Sequence, residues 1–104
     1  MARFDIHPNP IEQDQADFPC VLEIQSDLLH RFAERVCVPL ASPCAVPGMT
    51  ERFNPVVRVA GESLRLHPLG IAVFFKQELG EPVGSAKAQF MEIDAALDML
   101  LRGY

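Results

Sequence analysis

Hydrophobic positions in this chain alternate with polar ones in short runs, and only towards the end do they adopt a helical spacing. In CVLEIQ, Cys20 to Gln25, Leu22 and Ile24 fall on one face and Glu23 and Gln25 on the other, the period of a half-buried strand. PVVRVAGESLRLHP is the clearest run: Val57 and Val59 flank Arg58, Leu64 and Leu66 flank Arg65, and AGES lies between them as a turn. That pattern predicts a hairpin with Val57, Val59, Leu64 and Leu66 on its apolar face and both arginines on the other. Val36 to Ala41 and Ile71 to Phe75 are apolar at almost every position, which predicts strands buried on both sides. Arg3 to Ile6 is a shorter strand candidate, closed by HPNP because proline donates no ladder hydrogen bond.

Beyond LGEPVG the period changes. Ala86, Phe90, Ile93, Leu97 and Leu100 follow one another at helical spacing, with Ser85 as the expected N-cap. Arg102 complements the negative end of the helix dipole, and Gly103 stands where a left-handed residue stops a helix. Tyr104 then follows as a terminal aromatic on a rigid helix, suited to entering a partner's pocket. Two stretches have no period: Pro8 to Asp17 is polar and reads as a mobile loop, and Ser42 to Pro55, with three prolines and a glycine, reads as an irregular connection. The whole is α+β, mostly β, in one domain spanning 1–104.

Composition narrows the setting. An apolar share of 49% against 22% charged residues is that of a folded protein, and 104 residues provide one core. The net charge of -5, with 9 basic residues scattered along the chain, supplies no block to neutralise phosphates, so direct nucleic-acid readout is not expected. MARFDIHPNP has no apolar leader core, and no run approaches the roughly 18 apolar residues of a membrane span, so the expected location is the cytoplasm. Cys20, Cys37 and Cys44 form no CxxC pair and read as small buried hydrophobes in a reducing compartment. His7, His30 and His67 are scattered, and neither metal nor cofactor is expected.

Several stretches together resemble the CcdB family, the toxin half of plasmid and chromosomal toxin–antitoxin pairs. They are QSDLLHRFAERVCVPLAS at Gln25 to Ser42, PVVRVAGESLRL at Pro55 to Leu66, and the ending LDMLLRGY. Within them QSD, PLAS, PVV and GES fall in the family's order at close to its spacing, and the resemblance is weakest in Pro8 to Asp17 and Pro43 to Asn54. It implies an SH3-like antiparallel barrel with a C-terminal helix and a symmetric homodimer. The runs Val36 to Val38 and Ile71 to Phe75 then serve either as monomer core or as interface. It also implies a protein that performs no bond chemistry. Family members poison DNA gyrase by entering an opening between the breakage-reunion domains of two gyrase A subunits and holding the enzyme with cleaved DNA.

Carried over position by position, the gyrase-contacting residues are Leu28, Leu29, Asp98, Leu101, Arg102, Gly103 and Tyr104. Familiar poisons end in tryptophan-glycine-isoleucine, and of that ending only Gly103 is retained here. An indole stacks on a guanidinium, whereas Arg102 repels one. The family also implies neutralisation by an antitoxin whose disordered tail folds around the toxin, and Arg58 and Arg65 are the residues expected to meet acidic groups of that tail. Two alternatives accompany this reading. One is a relative that no longer poisons and binds only an antitoxin. The other is a MazF-type endoribonuclease, in which Arg35, Arg58, Arg65, Glu62 and His67 supply the base, acid and cation of RNA cleavage.

Overall fold

A computed structural model describes residues 2–103. Its strands are β1 (Asp5–Pro8), β2 (Cys20–Glu23), β3 (Glu34–Ala41), β4 (Val56–Val59), β5 (Glu62–Leu66), β6 (Ala72–Phe75) and β7 (Gly84–Ser85), followed by helix α1 (Phe90–Arg102). Every pairing is antiparallel, in the order β4-β5-β3-β2-β1-β7, with β6 added on β3. The long strand β3 organises the sheet. Its Glu34 to Cys37 half pairs with β6, Leu40 and Ala41 pair with β5, and Cys37 to Leu40 pair with β2. Sharing one strand among three neighbours curls the sheet into a nearly closed barrel, so the chain is α+β, mostly β, with one C-terminal helix.

The hairpin forms where alternation predicts it, and Val57, Val59, Leu64 and Leu66 are all buried. Its turn is shorter than AGES, because Glu62 and Ser63 already belong to β5. Only Ala60 and Gly61 turn, at φ 50 and 83, the left-handed pair that matches strand twist in a two-residue loop. The inner sheet face, with Ile6, Leu22, Val38 and Leu40 beside the hairpin residues, closes on Ile93, Ala96 and Leu97 of α1.

The helix starts at Phe90 rather than just after Ser85. Gly84 and Ser85 pair with β1, and the Ser85 hydroxyl accepts the Lys87 N–H at 3.3 Å, ahead of a 3₁₀ turn at Lys87–Gln89 whose N-cap position is Ala86. Phe90 is consequently exposed, and Ala96 takes a core position that the large-residue spacing passed over. At the other end Gly103 has φ 86 and donates to the carbonyls of Asp98 and Met99 at 3.2 Å, the left-handed stop that was expected.

Three further expectations are corrected. The first strand lies at Asp5–Pro8 rather than Arg3 to Ile6, because the chain turns at buried Phe4, whose φ of 73 is one that bulky residues rarely adopt. Residues 8–17 are not free chain: buried Asn9 donates to the Phe18 carbonyl at 2.8 Å and accepts the Ile11 N–H at 2.9 Å, and Glu12–Asp14 forms a 3₁₀ turn. In β6 only Phe74 is buried, while Val73 is 61% and Phe75 51% exposed. The Val36 to Ala41 run is deep as predicted. Among the described residues no helix is long and apolar enough to cross a membrane.

Candidate functional site

Two elements far apart in sequence are linked through Arg3. Asp27–Leu29 is a 3₁₀ turn capped by Ser26, whose hydroxyl accepts the Leu28 N–H at 3.2 Å, and it leaves Leu28 92% exposed and Leu29 half-exposed. On α1 the spacing puts Asp94, Asp98, Leu101 and Arg102 along one side. Arg102 pairs with Asp98 at 3.8 Å, and Leu101 is 73% exposed. Arg3 spans the two elements, its backbone N–H donating to Asp27 at 2.9 Å and its guanidinium to Asp94 at 2.8 Å. Exposed leucines beside an ion pair have the composition of a protein-docking patch. Tyr104, expected to contribute to it, lies outside the described residues.

The outer sheet face holds a buried polar network that alternation did not reveal. His7 Nε2 stands 2.6 Å from Glu23 Oε2, Arg35 Nε stands 3.5 Å from Glu23 Oε1, and Glu23 and Arg35 are each 3% exposed. His7 Nδ1 donates to the Gly80 carbonyl at 3.0 Å. The Arg35 guanidinium donates to the carbonyls of His30 and Glu34 at 3.0 Å and to that of Phe32. The network thus pins two connections to the sheet: the one carrying Leu28 and the one after β6. Asp5, His7 and Glu23 offer ligand atoms within 4.8 Å of one another, but Asp5 accepts the Ala2 N–H and Arg35 already supplies positive charge to Glu23. This donor set suits a hydrogen-bonded network better than a metal. Beside it, burial and then the Glu23 carboxylate push the Cys37 thiol up to about 12, against a smaller opposing pull from Arg35. Burial and Glu62 raise Cys20 as well, whereas Cys44, expected to be buried like the other two, is exposed in the connection between β3 and β4.

Register places Arg58, Arg65, Pro39, Cys37, Val21 and Phe74 on this same outer face. Arg58 is exposed, and Arg65 donates to the Asn54 carbonyl at 3.0 Å. Val21, Cys37, Pro39 and Phe74 of this face also line a cavity of about 320 Å³, together with Ile11, Phe18 and His67 among others. His67 stacks on Phe18 with ring centroids 5.6 Å apart, burial lowers its pKa, and its Nδ1 is buried without a hydrogen-bond partner among the described residues. The five groups considered for RNA cleavage do not converge. Arg35 is sealed in the network, Glu62 faces Val59 across the hairpin, Arg58 and Arg65 are on the outer face, and His67 lies against Phe18.

Comparison with known proteins gives two kinds of result. An endoribonuclease from a mycobacterial species superposes with a TM-score of 0.72 at 18% identity, covering 97% of this chain and 90% of that one. A mycobacterial endoribonuclease in complex with its cognate antitoxin also gives 0.72, at 16% identity over 97% and 94% of the two chains. No curated protein matches. The expectation of a protein that performs no bond chemistry is overturned here, because both of these structures sharing the fold are described as endoribonucleases. At such identities the likeness establishes the fold, and the family rests on the sequence itself. The family model described as CcdB protein matches residues 3–103, which takes in the QSD turn, the hairpin and the helix end, so the chain belongs to the CcdB family.

Proposed function

We propose that this chain is the toxin of a toxin–antitoxin pair and that its target is DNA gyrase. The contact surface is Leu28, Leu29, Asp98, Leu101, Arg102, Gly103 and Tyr104. The observation carrying this reading is that Leu28 and Leu101, both projecting into solvent, stand on two elements joined by Arg3 in a chain of the CcdB family. Gyrase poisoning needs tighter binding to the gyrase state that holds cleaved DNA than to the others. Burying one leucine contributes about 1.5–3 kcal/mol, and about 1.4 kcal/mol is tenfold in affinity, so a few well-fitted leucines suffice to bias that equilibrium. Arg102 replaces an aromatic residue, and its pairing with Asp98 offsets part of the charge it brings.

Two copies of the chain associate, in this reading, through the exposed side chains of Ile71, Val73 and Phe75, matching the two-fold symmetry of paired gyrase A subunits. The antitoxin tail takes the outer face, its acidic groups meeting Arg58 and Arg65 and an apolar residue entering the cavity by Phe18. Gyrase and antitoxin alike place the protein in the cytoplasm. RNA cleavage is the second reading, favoured by the descriptions of the structures that share the fold.

One preparation tests both. It is titrated into a gyrase supercoiling reaction and incubated with mixed RNA. Accumulation of linear DNA supports the proposal. Specific RNA fragments with gyrase unaffected would replace it with the nuclease reading. Failure of both, with antitoxin binding retained, identifies a relative that no longer poisons.

A further inference from the structure

Arg3 touches three parts of the molecule at once. Its backbone N–H donates to Asp27 Oδ1 at 2.9 Å, Nε–H donates to the Ile24 carbonyl at 3.0 Å, and Nη2 donates to Asp94 Oδ1 at 2.8 Å. The guanidinium carbon also sits 4.4 Å from the centre of the Phe4 ring. Phe4 holds Arg3 in place: it is buried in its left-handed turn, donates to the Glu23 carbonyl at 2.7 Å and accepts the Ala86 N–H at 2.9 Å. The other ties of the Leu28 segment run to β3, apart from the Lys76 N–H, which donates to the Ala33 carbonyl at 2.8 Å. Gln25 donates to the Glu34 carbonyl and accepts the Val36 N–H, and Arg35 holds the carbonyls of His30 and Phe32.

We propose that Arg3 is a positioning residue that locks the Asp27–Leu29 turn to α1, so that Leu28 and the helix end are presented as one rigid surface. Leu28 itself provides the turn with no anchor, being almost wholly in solvent, and the hydrogen bonds inside the turn shape it without locating it against the helix. Asp94 lies one helical turn before Asp98 and two before Leu101 and Arg102, so a tie at Asp94 fixes the side of the helix that ends in the docking residues. A surface fixed before binding does not have to be ordered by its partner. Lysine is no substitute, because the two guanidinium nitrogens reach different acceptors in fixed directions. The locking stands whatever the partner is; its consequence for gyrase rests on the function proposed above.

The test is amide hydrogen exchange at Leu28 and Leu29 in the full chain. D94A, a surface change on the helix, is expected to speed that exchange at least about threefold, R3M as much, and the double variant no more than R3M alone. R3K is expected not to restore the native rate. Unchanged exchange in D94A and R3M, or additive effects, overturns the lock; if R3M does not fold, D94A decides alone. In the gyrase assay D94A is expected to need about tenfold more protein for the same inhibition, since a pre-ordered surface has been loosened. Equal potency of D94A and an active wild type overturns the presentation role and leaves the target reading standing. An inactive wild type removes that reading, and exchange then decides the lock.

Discussion

Arg35 shows how a single residue departs from its sequence signal. Just ahead of the Val36 to Ala41 run it stands among the groups considered for RNA cleavage, yet it is buried against Glu23 and three backbone carbonyls. Glu23 is hidden in the same way, because alternation announces a polar face without saying what covers it. On that face Leu79 packs with Val21, Cys37 and Phe74, and Phe18 lines the cavity beside them; both come from connections that carry no period. Removing one partner leaves a buried charge unmatched, so R35M is expected to lower unfolding stability by about 3–5 kcal/mol in urea titration. The pH response belongs to His67. Burial holds its folded pKa below the ordinary 6.5, so the unfolded chain takes up the proton first. Its contribution to stability is complete above that value and is lost as pH falls towards the lowered one. Relative to wild type, H67F is expected to show a flatter decline of the melting temperature as pH falls from about 6.5 to about 5, the window below the ordinary histidine pKa.

Among the elements, the hairpin and the helix stop were legible because each is fixed locally. Val57 to Leu66 alternates on both sides of a turn, and Gly103 needs only a left-handed backbone. The start of the helix was not legible. Ser85 is a good cap, but β1 captures it as a strand partner, and tertiary pairing prevails over capping preference. The Ala60–Gly61 turn is read correctly in place yet is imperfect in chemistry, since alanine at φ 50 costs about 1–2 kcal/mol relative to its right-handed conformation. A60N supplies the Asn-Gly pair preferred in such turns. It is expected to raise stability by about 0.5–1 kcal/mol, measured by chemical denaturation.

At the scale of the molecule, the barrel was visible in the sequence through QSD, PLAS, PVV and GES in their family order; periodicity alone gives strands without their neighbours. Strand order follows from β3 serving three partners, which no local pattern records. The same arrangement explains the misread strand β6. It hangs on one end of β3, and among the described residues the side that holds Val73 and Phe75 is left largely uncovered. A second copy covering that side implies that V73D sediments as a monomer while remaining folded, whereas wild type sediments as a dimer at micromolar concentration. A wild-type monomer would remove the interface.

Gyrase poisoning as proposed requires contact between the helix-end surface and gyrase. Calorimetric titration of the gyrase A breakage-reunion domain with the wild-type protein and with L101E measures that contact directly. Saturable binding by wild type, weakened at least about tenfold in L101E, is the predicted result. No binding by the wild type, or equal affinity of the two proteins, would contradict it.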